Sequence, residues 1–382
     1  MRGVSMYLPE REGMFWFILI SIFTLVQAYV FWRTSSVPLV VGHRQLLAGV
    51  GVVLWLLFIA GVVYGHRGMG LAARWLEVAA LHWMAVLFLL FVCLLAADIV
   101  TGFGLFIPRF APALRGAAVI AAVLLTIFAL VQGFRPPVVQ RYEVRLPGLS
   151  PALDGTVIVS MCDLHLGALL GGKWMSRRVA QVQAQRPDIV FLVGDIYDGH
   201  GRSIDELIPS MRGLSAPLGV WAVTGNHEFY GGLNAFTQLM ERSGIHLLRD
   251  QWSEATPGLV VAGVDDLTTR RRQGIIGEQI SKTLKGRPSG ATILLSHTPW
   301  RMEEAAKEGV GLMLSGHTHG GQIWPFGYLV RLFYPLLEGR HIVSGMTIIV
   351  SRGTGTWGSR MRLWRRGEIL RITLRSDYYL RP

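Results

Sequence analysis

Five short polar clusters stand out along the 382-residue chain: Asp163-Leu164-His165, Gly194-Asp195, Gly225-Asn226-His227-Glu228, Ser296-His297 and Gly316-His317-Thr318-His319-Gly320-Gly321-Gln322. Five of the eleven histidines fall within them. Imidazole, carboxylate and amide groups are the donors that hold divalent transition metals. A single strand-end histidine is ordinarily a hydrogen-bonded core residue, but five such clusters in series point to a shared metal centre. His317 and His319 are two residues apart, as are Asp163 and His165, and on extended backbone such pairs face the same way. Two pairs converging from different strands can hold two ions about 3.5–4 Å apart, the spacing used in two-metal hydrolysis. Two divalent cations outweigh the charges of Asp163 and Asp195 even with a bridging hydroxide added, so the open face attracts an anion such as phosphate.

Each cluster follows a short β-branched run, the place where α/β folds expose working groups. The strand candidates are 156–162, 188–193, 220–223, 259–264, 292–295, 312–314, 347–350 and 369–374. Helical periodicity marks 174–185, 204–211 and 233–243. Strand and helix alternate at first and strands then dominate, which leaves open a mixed α/β sheet or two packed sheets with outer helices. No internal repeat or low-complexity segment interrupts the pattern. Cys93 lies in an apolar run and Cys162 in a strand candidate, so both read as small core residues rather than a disulfide pair.

Hydrophobic residues make up 51% of the chain and charged residues 16%, against about 25% charged in an average soluble domain. That composition excludes disorder as the main state and directs attention to four apolar runs. Met14–Trp32, Leu46–Tyr64, Val78–Ala96 and Gly116–Gly133 are each 18 or 19 residues long, about 27–28 Å of helix, close to a bilayer core. They read as transmembrane helices. The first is longer than a signal-peptide core and no small-residue cleavage site follows it. Trp16, Trp32, Tyr64 and Trp75 suit interfacial anchors. Glu77 and Asp98 flank the third run and His82 lies within it, read as a headgroup or interhelix hydrogen-bonding group.

Net charge is +12, with nine basic and four acidic residues in 1–135. Beside so much apolar surface this favours contact with anionic lipid, and no nucleic-acid partner is expected. Arg2, Arg11, Arg67, Arg74, Arg135, Arg141 and Arg145 lie on one side of the bilayer, against Arg33, Arg44, Arg109 and Arg115 on the other. Seven against four places both ends, and the polar domain, on the cytoplasmic side of the cell inner membrane.

The five clusters, in order, resemble the calcineurin-like metallophosphoesterase superfamily: D-x-H, G-D, G-N-H-E, H and G-H-x-H. The last continues as G-H-T-H-G-G-Q, which is similar to the bacterial membrane-associated branch that includes the UDP-2,3-diacylglucosamine pyrophosphatases. The likeness covers about Thr156–Thr356. It implies a four-layer αββα sandwich, here preceded by a transmembrane α-helical segment of four spans. It also implies that Asp163, His165 and His319 bind one divalent ion and Asn226, His297 and His317 a second, with Asp195 bridging them. In such enzymes a metal-bridged hydroxide attacks phosphorus in line, and His227 is similar to the histidine that contacts the phosphoryl oxygen and protonates the leaving group. The donor set suits Mn, Fe or Zn. Asp198 resembles a carboxylate that orients a metal-site histidine, with an Asx turn beside Gly199 as the equal alternative. Glu228, Asp265 and Asp266 carry no metal role in this reading.

The expected organisation is a helical membrane domain over 1–135, a linker with a first edge strand over 136–150, and the phosphoesterase domain over 151–382. After the last cluster the chain is unusually apolar, from Ile323 to Val330 and Leu332 to Leu337. This segment serves either as an exposed lip toward the bilayer or acyl chains, or as cover for a sheet edge. Basic clusters at 270–272 and 360–366 are candidates for headgroup or substrate-phosphate contact. The expected activity is hydrolysis of a phosphoester or pyrophosphate bond, with a lipid-linked phosphorylated molecule as the substrate class. Phosphomonoesterase or protein phosphatase action is the nearest rival, and a non-catalytic membrane scaffold that binds phosphorylated ligands is a third reading.

Overall fold

The computed structural model describes residues 8–65, 68, 70–199 and 202–377. The chain divides into two compact units, Met1–Val131 and Gln132–Pro382. The first holds α1 (Leu8–Thr34), α2 (Arg44–Ala60), α3 (Leu71–Thr101) and most of α4 (Ala111–Phe134), with a π-helical turn over Gly61–Gly65 after α2. Among the described residues these are four helical segments long and apolar enough to cross a membrane. They run past the apolar stretches because helix propagation does not stop at the hydrocarbon edge.

Glu77 and Asp98 flank the apolar run as expected, but α3 extends beyond both, so they lie within the helix and are buried. The Tyr29 hydroxyl donates to Asp98 over 2.7 Å, and Arg33 and Arg115 pair with its carboxylate at 2.6 and 2.8 Å. A buried carboxylate requires such partners, and here they fasten the ends of α1, α3 and α4 together. His82 Nδ1 sits 2.7 Å from the Val78 carbonyl on its own helix. Trp32, Tyr64 and Trp75 are exposed. Arg2, Arg67 and the side chains of Arg11 and Trp16 fall outside the described residues.

The second unit opens with β1 (Val138–Arg145), β2 (Val157–Met161), α5 (Gly172–Gln183), β3 (Ile189–Val193), α6 (Ile208–Met211) and β4 (Val220–Val223). It continues with α7 (Asn226–Gly231), α8 (Leu233–Arg242), β5 (His246–Leu247), β6 (Gln251–Thr256), β7 (Leu259–Gly263), α9 (Leu267–Arg272) and α10 (Gln279–Leu284). The rest are β8 (Ala291–Leu295), α11 (Met302–Lys307), β9 (Leu312–Ser315), α12 (Gly327–Arg331), β10 (Gly339–Val343), β11 (Met346–Val350) and β12 (Glu368–Arg375). The strands form two six-stranded sheets, ordered β1-β12-β2-β3-β4-β5 and β10-β11-β9-β8-β7-β6. Within them β2, β3, β4 and β5 run parallel, as do β7, β8, β9 and β11.

Alternation along the strands builds the layers. In β2, Ile158 joins the cluster between the sheets with Phe191, Val261, Ile293 and Leu314, while Val159 packs outward beside Val179 and Leu239 of α5 and α8. On the far side Leu294 and Met313 pack outward against Ile280 of α10 and Ala305 of α11. The fold is therefore the four-layer αββα sandwich, with the central strands of both sheets buried on both faces.

Predicted strand positions agree with the observed ones to within a residue or two. The helix expected over 204–211 breaks into a 3-10 turn, Ile204–Glu206, and the short α6. Pro209 in its first turn has no N–H to carry the earlier turn onward. The second half is also more helical than expected. Helices α9, α10, α11 and α12 are only five or six residues long, too short for a periodic signal.

Candidate metal centre

The five clusters emerge from the carboxyl ends of β2, β3, β4, β8 and β9, where parallel strands of both sheets direct their following loops to one edge. Backbone bonds knit the loops before any side chain takes part: Asp163 N–H donates to the Gly194 carbonyl (3.0 Å), His165 N–H to Asp195 (2.9 Å) and Gly316 N–H to His297 (2.8 Å).

The expectation that Asp163/His165 and His317/His319 lie on extended backbone is corrected. Asp163, His165, Asp195, His317 and His319 all have positive φ, between 47° and 71°. Left-handed conformations at alternate residues curl each loop, so the paired side chains converge through turns. Such conformations disfavour side chains with Cβ and gather at functional sites. Two glycines make the approach possible. A Cβ on Gly194 would lie 2.5 Å from the His297 ring, and one on Gly225 would lie 2.2 Å from Asp195 Oδ1.

The side chains meet in three overlapping triads: Asp163, His165 and His319; His165, Asp195 and His227; and Asp195, His297 and His317, with ligand-type atoms within 4.8 Å of one another in each. His165 Nε2 lies 3.0 Å from His319 Nε2 and 3.9 Å from Asp195 Oδ2. The same Asp195 oxygen is 3.0 Å from His297 Nε2, so one carboxylate oxygen faces both groups of histidines. His317 Nδ1 is 3.3 Å from His297 Nε2. Asn226 opens α7 and is buried. Its neighbours on both sides touch Asp195, Gly225 by close approach and His227 through its N–H (2.9 Å).

Polar satisfaction tests whether these residues fit a cation. Asp163 Oδ2, Asn226 Oδ1 and His319 Nδ1 are buried without a hydrogen-bond partner. Orphaned acceptors of that kind cost about 1–3 kcal/mol each unless something positive meets them. The nearby histidines have their outer nitrogens anchored, His297 Nδ1 on the Val193 carbonyl (2.9 Å) and His165 Nδ1 on Asp198 (2.7 Å), which directs Nε2 inward. Burial lowers His317 to about 4 with help from His297, and burial beside His165 holds His319 well below its usual range. Both are neutral imidazoles at pH 7, the form a metal requires. Against the cost of burial, Asp195 raises His297 well above its usual range, so a proton and a cation compete for its Nε2. The donor set fits divalent metal ions.

His227 stands at the edge of this group. Its Nδ1 is 3.0 Å from Asp198 Oδ1. Burial opposes its charge, but Asp195 and Asp198 outweigh that and raise it to about 9.

Four further residues acquire roles here. Asp198 takes both His165 and His227 on one oxygen, so the orienting role holds over the bare Asx turn. Glu228 is fully buried and accepts from the N–H groups of Asp195 (3.1 Å), Ile196 (2.6 Å), Tyr197 (3.0 Å) and Gly225 (2.5 Å), bracing two ligand loops at once. The Tyr334 hydroxyl lies 2.8 Å from His317 Nε2. Arg362, from a cluster read as a headgroup contact, is instead 2% exposed and donates to the carbonyls of Arg352 (2.8 Å) and Gly355 (2.7 Å) behind the site. In the sequence, Asp198 is named by resemblance beside an equal Asx-turn alternative, and Glu228 stands in the G-N-H-E motif without a role. No motif pointed to Tyr334, seventeen residues from His317, and the basic cluster that includes Arg362 suggested a surface contact rather than its bonds to backbone carbonyls seven and ten residues away. Asp266 caps α9, accepting from Thr269 N–H (2.7 Å), whereas Asp265 is no cap but pairs with Arg249 (2.7 Å) and accepts from the Thr224 hydroxyl (3.0 Å).

Comparisons with known proteins agree with this geometry. The calcineurin-like phosphoesterase family profile matches residues 163–321, from the first ligand motif through the last. The chain is 32% identical over 271 residues to a "Transmembrane protein with metallophosphoesterase domain" of Danio rerio, covering 68% of this chain and 62% of that protein. It is 34% identical over 241 residues to an uncharacterized metallophosphoesterase of Aquifex aeolicus, covering 62% of this chain and 92% of that one. A Campylobacter jejuni metallophosphoesterase is 28% identical over 375 residues, covering 95% and 98%. The chain spans less than two thirds of the vertebrate relatives, 62% of the Danio rerio protein and 63% of the Bos taurus protein. With the aligned span carrying every clustered donor, the chain belongs to the calcineurin-like metallophosphoesterase family.

Proposed function

We propose that the chain is a membrane-anchored, two-metal phosphoesterase that cleaves a phosphoester or pyrophosphate bond in a lipid-linked molecule on the cytoplasmic side of the cell inner membrane. The observation that carries the hydrolase reading is the convergence of three overlapping, largely buried donor triads, linked to one another through His165 and Asp195. Asp163, His165 and His319 would hold one ion and Asn226, His297 and His317 the other, with Asp195 between them and Mn, Fe or Zn the fitting metals. When bound, the ions supply a nucleophile at neutral pH and charge stabilisation at phosphorus.

The protein's own part is positional. Asp198 accepts from His165 and His227 and fixes both rings, leaving His227 Nε2 as the nitrogen that holds a proton for the leaving group. Glu228 keeps the Asp195 loop and the first turn of α7 in register. Tyr334 steadies His317 from outside.

The lipid-linked substrate is supported by the apolar segment after the last motif. Trp324, Phe326, Tyr328, Leu329, Leu332 and Phe333 are 41–75% exposed, while Ile323 and Leu337 at its ends are buried. The segment is thus an anchored apolar lip. Gln322, just before it, bonds to the Trp357 carbonyl (2.8 Å), and Trp364 in the same loop accepts from Gln132 (3.0 Å) near the end of α4.

The test is hydrolysis by the purified full chain in neutral detergent with Mn, offered soluble monoesters and diesters, phospholipids and nucleotide-linked lipids. Cleavage of a lipid-borne diester or pyrophosphate is expected. Good turnover of soluble esters with every lipid untouched overturns the substrate class, a monoester preference favours the phosphatase rival, and no turnover of any ester favours the scaffold.

A further inference from the structure

Two chains of ring contacts leave the metal centre and end on consecutive residues. From His227 the path runs to Tyr230, with ring centroids 5.9 Å apart, and then to Arg272, whose guanidinium lies 5.4 Å from the Tyr230 ring and donates to its hydroxyl. From His317 it runs to Tyr334 (4.8 Å), to the stacked Trp300 (5.5 Å) and to Arg271, whose guanidinium is 5.5 Å from the Trp300 ring. Both arginines are exposed and close α9.

Their charge is available. Arg270 beside them is neutralised by Asp250 and Asp265. Among the described residues neither Arg271 nor Arg272 has a carboxylate partner. Asp266, the nearby acid of the same loop, is 1% exposed and occupied by Thr268, Thr269 and Thr298. Contact with tyrosine and tryptophan rings directs two planar cations; Arg272 spends one N–H group on the Tyr230 hydroxyl and keeps its others, with those of Arg271, for an anion.

We infer that Arg271 and Arg272 clamp a second anionic group of the substrate, set apart from the phosphoryl group that reacts. This rests on the phosphoesterase reading and sharpens it: the preferred substrates carry two phosphates or an equivalent pair of anions, as a diphosphate-linked molecule does. Paired guanidinium groups suit phosphate oxygens through charge-assisted hydrogen bonds. Anionic lipid headgroups offer the same chemistry, so the source must be separated.

The experiment uses the full chain in neutral detergent, wild type and Arg271→Ala/Arg272→Ala, with Lys307→Ala as an exposed control. Binding of UDP-glucose, which has two phosphoryl anions, and of bis(p-nitrophenyl) phosphate, which has one, is measured by calorimetry, and turnover of both is followed in parallel. The double variant is expected to lose about tenfold in UDP-glucose affinity, the scale of one charge-assisted hydrogen bond, with a matching rise in KM and a far smaller change for the single-anion ester. An equal loss for both ligands, or no loss, overturns the clamp. A loss that appears only when anionic-lipid vesicles are present overturns it in favour of a lipid-surface contact. Selective binding without turnover of either ester would leave the clamp standing and sink the phosphoesterase reading instead.

Discussion

Asp198 shows what separates residues that can be read from sequence from those that cannot. Its place after Gly-Asp suggested an orienting carboxylate, but an Asx turn explained the same spacing until one oxygen proved to take both His165 and His227. The seven donors and His227 were all marked by short motifs, because each motif is a strand end and the strand ends are local. What motifs could not convey was backbone shape: positive φ at five of these residues replaces the extended pairs expected. Tyr334 acts through a tertiary contact that no motif marks, and the basic cluster around Arg362 gave no sign that this guanidinium would be buried. Substituting Asp198→Asn keeps a side chain of the same size but removes the charge that fixes two imidazoles. Metal affinity or turnover is expected to fall about 10–100-fold, as measured by metal titration and kinetics. Wild-type values for both would reduce Asp198 to a turn-former.

Elements that behave as units are joined by side chains rather than by sequence order. The loop after β3 and the first turn of α7 are more than thirty residues apart, yet Glu228 satisfies donors of both. Burial and the neighbouring Asp195 raise its carboxyl to about 7, a cost accepted at a junction where four N–H groups need an acceptor. Glu228→Ala orphans those donors, each worth on the order of 1–3 kcal/mol, and releases the Asp195 loop. A thermal unfolding midpoint lower by several degrees, at roughly 2–4 °C per kcal/mol for a unit of this size, together with weakened metal retention, is the expected outcome. An unchanged midpoint with unchanged metal content would contradict the bracing role. The β-rich strands were legible because continuous runs such as Ile189–Val193 announce burial on both faces. The short α9, which carries the arginine pair, was not, since six residues make less than two turns.

At the scale of the molecule, two sequence signals of different kind meet in one chain. Four helices are long and apolar enough to cross a membrane, and the sandwich buries its own apolar residues between its sheets and beneath its helices. The membrane segment was legible from length and hydrophobicity, whereas the Asp98 cluster within it was not, because Arg33, Asp98 and Arg115 come together only when the helices pack. The exposed apolar segment after the last motif and the exposed Arg271–Arg272 pair are surface features that motif spacing alone does not describe. All of this depends on the donor cage holding metal. The most direct measurement is therefore the metal content of the purified full chain beside its phosphoesterase activity, before and after chelation, for wild type and Asp195→Asn. The account predicts about two transition-metal ions per wild-type chain, activity lost on chelation and restored by Mn, and at least one ion missing from the variant. A wild-type chain that retains no transition metal, or that hydrolyses phosphoesters equally well after its metal is stripped, would contradict it.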